Sequence, residues 1–237
     1  RSVSRFGDPS RYWYESATAL ATAYFLQRGT PFIYQGQEIG MLGGDFKTAA
    51  DFRDVESMSY MERLGADEVP EGLATMSRDN GRTPMQWDSS PAAGFSETVP
   101  WIDVPASAEQ INVAAQADDP QSILTYYRAL ISARHVIPAL TDGTFTRIDA
   151  SVPALFVYRR SAPGSDVLVM VNMSGEHHTP LFSSGDEAVA SLPWRLYLGN
   201  TDTSFVKTDD AFDHIQSEPT VTTPMRPWEA RVYLLTD

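Results

Sequence analysis

The strongest constraint in this 237-residue sequence is a helix pattern that leads directly into a short apolar run. Apolar residues recur at helical spacing over residues 17–25, and Gly29 stands where a helix C-cap belongs. Residues 31–34 are apolar without alternation, which predicts a strand buried on both faces. A helix followed within a few residues by such a strand is one unit of an α/β fold.

The last hundred residues have a different pattern. Short strand-like runs at residues 154–158, 167–171, 194–198 and 231–235 are separated by turn-forming residues. This spacing is typical of an antiparallel β-domain of about 100 residues. Pro138 ends a helix predicted over residues 121–135, so we expect one domain at residues 1–138 and a second at residues 139–237.

A long polar stretch, from Gly36 to about Asp119, separates the first unit from the predicted helix at residues 121–135. Residues 55–64 predict one helix inside it. Connections this long are uncommon in compact domains unless they have a binding or catalytic role. We therefore expect the binding residues of the protein in this stretch.

The composition excludes several classes of function. The formal net charge of −13 repels phosphate backbones and anionic membranes, so we expect no nucleic acid and no membrane as partner. No apolar run approaches the roughly 20 residues of a membrane helix. The absence of cysteine excludes disulfides, thiolate metal sites and cysteine nucleophiles. A reducing compartment is compatible with this composition, and we expect a cytoplasmic location.

The amino terminus has neither an initiator methionine nor an apolar signal segment. Its first residues, Arg-Ser-Val-Ser-Arg, predict a cut inside a longer protein rather than a natural beginning. A targeting signal would then have to lie upstream of the sequence given.

Two polar segments are the candidates for ligand binding. Residues 29–41 place glycines and polar groups after the predicted buried strand, at the end where parallel α/β folds bind ligands. Residues 77–88 collect Arg, Asp, Asn, Gln and Trp in one loop. Planar polar groups of this kind bind sugar hydroxyls, and aromatic rings cover the apolar faces of sugars. By composition alone, a structural turn rich in salt bridges explains each segment equally well.

Both segments resemble the α-glucosidases of the α-amylase superfamily, glycoside hydrolase family 13. This group contains oligo-1,6-glucosidases, dextran glucosidases, trehalose-phosphate hydrolases and sucrose isomerases. The resemblance lies in Gly-Thr-Pro-Phe-Ile-Tyr-Gln-Gly-Gln-Glu-Ile-Gly-Met at residues 29–41 and Arg-Asp-Asn-Gly-Arg-Thr-Pro-Met-Gln-Trp-Asp at residues 78–88. Residues 1–7 are similar to the stretch that follows Asn-His-Asp in the family, whereas Gln37 stands at a commonly acidic position. The match is dense over residues 1–140 and weaker beyond.

The resemblance implies the end of a (β/α)8 barrel followed by an antiparallel β-sandwich domain. Residues 11–27 would be the seventh barrel helix, residues 31–34 the eighth strand and residues 121–135 the last barrel helix. Two barrel units cannot close a barrel, and the strand at residues 31–34 would expose both edges. We therefore expect the N-terminal fragment of the same enzyme as a partner.

The family consists of retaining enzymes, in which one carboxylate attacks the anomeric carbon while a carboxylic acid protonates the leaving oxygen. The resemblance places all three catalytic carboxylates upstream of this sequence, so we expect no catalytic residue here and no activity of the chain alone. It implies substrate-binding roles instead. Arg78 would reach the glucose at the cleavage point beside Asp79, Glu56 would lie near the leaving-group subsite, and Arg1 and Arg5 would lie near the pocket rim.

The substrate implied is an α-glucoside oligosaccharide or disaccharide, with no metal ion and no cofactor. A sucrose isomerase or transglucosidase of the same family is an alternative. Another is a non-catalytic partner subunit, although known examples carry a membrane anchor and usually cysteines. A carbohydrate-binding role of the β-domain, through Trp194, Tyr197 and Trp228, is a further alternative, but aromatic residues in strand patterns are more often core.

Overall fold

The computed structural model describes residues 1–65, 68–182, 186–201 and 219–236 of the chain. The helices in these ranges are α1 (Ser2–Phe6), α2 (Trp13–Phe25), α3 (Val55–Leu64), α4 (Glu71–Met76), α5 (Val113–Gln116), α6 (Ile123–Val136), α7 (Pro138–Thr141) and α8 (Glu187–Ser191). The strands are β1 (Thr144–Ile148), β2 (Leu155–Ala162), β3 (Ser165–Asn172), β4 (Trp194–Gly199) and β5 (Ala230–Leu235). Short 3₁₀ turns lie at Gln37–Ile39, Ala49–Asp51, Arg78–Gly81 and Ala106–Glu109. Each described helix falls short of the length and apolarity that a membrane span requires.

The chain forms two compact units that are interleaved along the sequence. The first unit comprises Arg1–Pro9 and Ile33–Leu124, and the second comprises Ser10–Phe32 and Thr125–Asp237. The predicted division into residues 1–138 and 139–237 stays a prediction. Residues 183–185, 202–218 and 237 of the predicted second domain lie outside the described residues.

The second unit is built on an antiparallel five-stranded sheet with the order β1-β2-β3-β5-β4. Strands β2 and β3 form a hairpin whose turn places Gly164 at φ +67°, a backbone conformation that favours glycine. Four of the strands were predicted from the sequence. Strand β1 was not, because it is an edge strand with four exposed residues and little apolar character.

One face of the sheet carries an apolar core of the second unit. Trp194 and Leu196 pack against this core, and Trp228 is buried. The burial of these tryptophans agrees with the core interpretation rather than with sugar stacking. The fully or largely buried members of the core are Ile148, Ala150, Leu155, Val157, Leu168, Met170, Val189, Val221, Met225 and Tyr233.

Helix α2 packs against β3 and β5, and two of its buried threonines form hydrogen bonds within the helix. The Thr18 hydroxyl donates to the Tyr14 carbonyl at 2.8 Å, and the Thr22 hydroxyl donates to the Thr18 carbonyl at 2.8 Å. These bonds let threonine occupy buried positions, since an unpaired hydroxyl would be costly there. The predicted helix over residues 17–25 is thereby confirmed.

The end of α2 differs from the sequence expectation. The helix stops at Phe25, and Gly29 lies in the following loop at φ +115° rather than capping the helix. Two arginines bind the terminal carbonyls instead. Arg134 donates to the carbonyls of Phe25 and Gln27, both at 2.8 Å, and Arg160 donates to the Leu26 carbonyl at 2.7 Å. Cations at a helix C-terminus also complement the helix dipole.

The strand expected at residues 31–34 does not form. Phe32 is 83% exposed and Tyr34 is 54% exposed, and neither takes part in a strand pairing among the described residues. Tyr34 starts a turn, since its carbonyl accepts from the Gln37 amide at 2.9 Å. A parallel strand depends on neighbouring strands for its hydrogen bonds, so the apolar run alone does not make one.

The first unit contains the polar stretch, and two small apolar clusters lie among its described residues. Phe46 and Phe52 stack with ring centroids 4.8 Å apart, beside Met61 of α3 and Ile102. A second cluster joins Ile39, Met41 and Met85, with Val113 and Leu124 packed against it. The predicted helix at residues 55–64 coincides with α3. The described residues of the stretch therefore combine short helices and loops around two apolar clusters.

The fold class is confirmed in part. The described residues contain one antiparallel sheet, and a second sheet, which a β-sandwich requires, is not confirmed. The sandwich stays a prediction of the sequence.

Arg160 offers a test of the packing between α2 and the sheet. The side chain is fully buried and also donates to the carbonyls of Gly143 at 3.1 Å and Thr144 at 3.2 Å. Arg160→Met leaves these carbonyls and that of Leu26 without their donor, so we expect a loss of about 2–5 kcal/mol in the free energy of unfolding. Urea unfolding followed by circular dichroism measures this loss.

Arg159→Met is the matched control. Arg159 is the neighbouring strand residue, but its side chain is partly exposed and pairs with Asp166 at 2.7 Å. Its loss should cost less than about 1 kcal/mol. Equal losses for the two variants would contradict the structural role assigned to Arg160.

Candidate functional site

The candidate site begins at the N-terminus of α3, where Asp54 is the N-cap. Its Oδ2 accepts from the Ser57 amide at 3.2 Å and from the Ser57 hydroxyl at 2.8 Å. Aspartate is a preferred N-cap because its carboxylate satisfies a free amide of the first turn. At the other end of α3, Gly65 adopts φ +61°, as helix C-caps commonly require. The helix therefore presents its first turn in a defined orientation.

Arg78 contacts the first turn of α3 through the carboxylates of Asp54 and Glu56. Its Nη2 lies 2.6 Å from Asp54 Oδ1 and 3.6 Å from Glu56 Oε2. The side chains of Arg78 and Glu56 are 61% and 83% exposed, whereas that of Asp54 is 4% exposed. The result is an exposed donor and an exposed acceptor held side by side over a buried anion. Such a pair suits a ligand that is rich in hydroxyl groups.

The Asp54 carboxylate stays ionised in this environment. Burial by itself would raise the pKa of Asp54, but hydrogen bonds from Ser57 and Arg78 outweigh it and hold the pKa below its ordinary value. The negative charge beneath Arg78 is therefore present at neutral pH.

Asp79, the neighbour of Arg78, points into the protein. Its side chain is fully buried, and Oδ2 accepts from the backbone amides of Arg53 at 2.7 Å and Asp54 at 2.8 Å. Its Oδ1 lies 3.3 Å from Arg82 Nη1. Asp79 therefore fixes the backbone that carries Asp54, and its oxygens face the chain rather than the solvent.

Asn80 completes the Arg-Asp-Asn block and is also buried. Its Oδ1 accepts from the Gly44 amide at 3.0 Å, and its Nδ2 donates to the Ala74 carbonyl at 2.7 Å. A Cβ at Gly43 would lie 2.4 Å from this amide oxygen, so the close approach needs glycine there. Of the three residues in the block, Arg78 alone faces the solvent.

Arg1 ties the two motif segments together. Its guanidinium donates to the Thr83 carbonyl at 3.2 Å, to the Thr83 hydroxyl at 2.9 Å and to the Gln35 carbonyl. It also lies over the Tyr34 ring, 5.6 Å from the centroid. Burial lowers the pKa of Arg1, against the opposing effects of Tyr34 and Glu38. With Nη1 and Nη2 engaged by the chain, Arg1 is placed to organise the loops.

Arg5 lies apart from this network. It is exposed, and its guanidinium lies 5.2 Å from the centroid of the Phe6 ring. Gln37, at the position that is commonly acidic, accepts from the Tyr34 amide at 2.8 Å and donates to the Ser2 hydroxyl at 3.3 Å. An acid at this position could not donate to Ser2 while ionised.

The structure thus brings Arg78 and Glu56 into one cluster and joins Asp79 to it through Asp54. Arg1 reaches the Arg-Asp-Asn block through Thr83, whose hydroxyl lies 3.4 Å from the Asn80 carbonyl, and Arg5 does not join. Sequence reasoning missed Asp54. The signal for it was present, since an aspartate directly before a predicted helix is a typical N-cap.

The burial of Asp79 leads to a test that separates a structural role from direct sugar contact. Asp79→Ala leaves the buried amide of Asp54 and the partly buried amide of Arg53 without an acceptor, so we expect a loss of about 2–4 kcal/mol in the free energy of unfolding. Asp51→Ala is the matched control, because Asp51 Oδ2 also accepts from two backbone amides, of Lys47 and Thr48, but at an exposed position. Water replaces those bonds, so urea unfolding should show a clearly smaller loss. Equal losses, or none for Asp79→Ala, would contradict this role.

Comparisons with known proteins agree with the motifs. The model of the α-amylase catalytic domain family matches residues 1–143. An oligo-1,6-glucosidase of Parageobacillus thermoglucosidasius is 39% identical over 239 residues, which cover 98% of this chain and 40% of the relative. A trehalose-6-phosphate hydrolase of Escherichia coli (strain K12) is 42% identical over 181 residues, covering 74% of this chain and 33% of the relative.

A solved structure shares the fold. An isomaltulose synthase mutant from Erwinia rhapontici NX5, crystallised with its natural substrate sucrose, aligns with a TM-score of 0.77 at 34% identity. The alignment covers 100% of this chain and 41% of that protein. The chain therefore spans about 40% of the length of the first curated relatives that it matches. Because the family model covers more than half of the sequence, the chain belongs to the α-amylase family of glycoside hydrolases.

Proposed function

We propose that this chain is the C-terminal part of a retaining α-glucosidase that removes terminal α-linked glucose from oligosaccharides or disaccharides. The observation that carries the proposal is the exposed Arg78, anchored at 2.6 Å on buried Asp54 and flanked by exposed Glu56. The catalytic carboxylates would come from sequence N-terminal to Arg1. The chain alone would then be inactive.

The chemistry of retaining enzymes assigns a role to this cluster. A carboxylate attacks the anomeric carbon and a second carboxylic acid protonates the leaving oxygen, while other groups hold the sugar in place. The guanidinium of Arg78 has several donors in a rigid plane and suits the hydroxyls of the glucose that is transferred. Glu56 offers acceptors to hydroxyls of the leaving group. Holding the substrate in a reactive orientation lowers the barrier.

The exposed segment at residues 31–34 supports the remaining part of the proposal. Phe32 and Tyr34 are apolar or aromatic and largely exposed, as expected of a barrel strand whose neighbours come from an N-terminal polypeptide. In this interpretation, residues 1–138 belong to the (β/α)8 barrel and residues 139–237 to a C-terminal β-domain with a sandwich architecture. A cytoplasmic location is part of the same proposal.

We further propose a neutral substrate rather than a phosphorylated one, although a trehalose-6-phosphate hydrolase is among the relatives. The chain has a formal net charge of −13, and the carboxylates of Asp54 and Glu56 lie within 3.6 Å of Arg78 Nη2. This field disfavours the approach of a phosphate dianion and does not oppose a neutral sugar.

A sucrose isomerase is the second candidate, favoured by the similarity to an isomaltulose synthase solved with sucrose. The two activities differ in what receives the glucosyl group, which is water in hydrolysis and a fructose hydroxyl in isomerisation. Chromatography of the products from sucrose distinguishes them. Glucose and fructose indicate hydrolysis, whereas an isomeric disaccharide indicates isomerisation.

The proposed activity predicts hydrolysis of nitrophenyl α-glucoside by the enzyme that contains the N-terminal part, and none by this chain alone. Arg78→Ala removes a charged hydrogen bond to the substrate, so kcat/KM should fall about 10- to 100-fold. Arg63→Ala is the control, since Arg63 is an exposed arginine in the last turn of α3, at the other end of the helix from the turn that Arg78 contacts. Absence of hydrolysis by the complete enzyme, or full activity of Arg78→Ala, would contradict the proposal.

The neutral-substrate proposal predicts that the complete enzyme prefers nitrophenyl α-glucoside over its 6-phosphate. We expect kcat/KM to be at least about 10-fold lower for the phosphate, because of electrostatic repulsion. The ratio of kcat/KM for the glucoside to kcat/KM for its 6-phosphate should fall as the salt concentration rises, since salt screens this repulsion. Steady-state rates at two salt concentrations measure both effects, and a preference for the phosphate would refute the proposal.

A further inference from the structure

The Asp54 carboxylate uses its two oxygens for different tasks. Oδ2 caps α3 through Ser57, and Oδ1 holds Arg78 Nη2 at 2.6 Å. We propose that Asp54 is a positioning residue, which fixes the Arg78 guanidinium in the orientation that binds sugar. This inference rests on the proposed function in one respect, the role of Arg78 in binding substrate.

The first argument is that the Asp54 side chain cannot turn freely. Moving Oδ1 away from Arg78 would also move Oδ2 and break the cap of α3, so the two interactions hold each other in place. The Ser57 hydroxyl, which donates to Oδ2, lies 2.9 Å from the Ser77 hydroxyl. Ser77 directly precedes Arg78, so the same network joins the start of α3 to the backbone of the arginine.

The second argument is that the Asp54 backbone is held by Asp79. The buried carboxylate of Asp79 accepts the amides of Arg53 and Asp54 at 2.7 and 2.8 Å. Asp79 directly follows Arg78 in sequence. Its carboxylate therefore ties the backbone next to Arg78 to the backbone of Asp54. Asp79, Asp54 and Arg78 therefore form a closed loop of two short hydrogen bonds and the peptide bond between Arg78 and Asp79.

The third argument is that no other acid in the cluster can hold Arg78 as firmly. Glu56 is 83% exposed and lies 3.6 Å from Nη2, and exposed ion pairs of this kind contribute little. Asp79 is occupied by backbone amides and Arg82. Without Asp54, the long side chain of Arg78 would sample many rotamers. Substrate binding would then have to select one of them, at a cost in side-chain conformational entropy.

The substitution that isolates this role is Asp54→Ser. Serine is a good N-cap, so the cap of α3 persists, but the second oxygen that holds Arg78 is lost. Asp51→Ser is the matched control, because it removes a carboxylate that also accepts two backbone amides but holds no sugar-binding arginine. Urea unfolding should show midpoints for Asp54→Ser and Asp51→Ser that lie closer to the wild type than that of Asp54→Ala.

The first readout does not depend on activity. In side-chain ¹⁵N–¹H spectra of this chain, rotation about the Nε–Cζ bond of Arg78 should be hindered in the wild type and in Asp51→Ser. It should become free in Asp54→Ser. An Arg78 signal that is unchanged by Asp54→Ser would overturn the inference.

The second readout uses the complete enzyme and nitrophenyl α-glucoside. Asp54→Ser should lower kcat/KM about 10- to 100-fold on its own. It should have no further effect in the Arg78→Ala background, because the two residues act as a unit. Effects that multiply would overturn the inference while leaving the proposed function intact. If the wild-type enzyme has no glucosidase activity, the proposed function is wrong, and the spectra still decide whether Asp54 orders Arg78.

Discussion

The candidate site depends on one buried carboxylate, that of Asp79, which binds the backbone amides of Arg53 and Asp54. A buried acceptor of this kind satisfies amides that have no partner in a helix or a sheet, and loop structure needs such partners to be stable. Here it places the N-cap of α3 next to Arg78 and so joins two loops that are distant in sequence. The exposed side chains of Arg78 and Glu56 therefore depend on the buried carboxylate of Asp79 for their positions.

Patterns with a local cause were predictable from the sequence. The spacing of apolar residues predicted α2 and α3, and turn residues between apolar runs predicted strands β2 to β5. The Arg-Asp-Asn block pointed to the right loop because its residue types suit sugar binding. It did not indicate that Asp79 and Asn80 face inward, since composition does not tell a ligand of the sugar from a ligand of the backbone.

Features that depend on distant partners could not be predicted. Gly29 is a reasonable helix cap by local rules, but α2 ends at Phe25, and the carbonyls at its end are bound by Arg134 and Arg160, more than a hundred residues away. Residues 31–34 have the composition of a buried strand, yet a strand exists only where neighbours supply its hydrogen bonds. Asp54 was recognisable as a helix N-cap. Arg78, which its other carboxylate oxygen binds, lies too far along the chain for a local pattern to indicate the contact.

The bond between Arg160 and the Leu26 carbonyl spans 134 residues, and this has a consequence for synthesis on the ribosome. At about 5–20 residues per second, the arginine is made about 7–27 s after the carbonyl that it binds. Throughout that interval the Leu26 carbonyl lacks its arginine donor, and the hairpin of β2 and β3 is incomplete. The nascent chain therefore carries an incomplete helix end for far longer than helix formation itself takes.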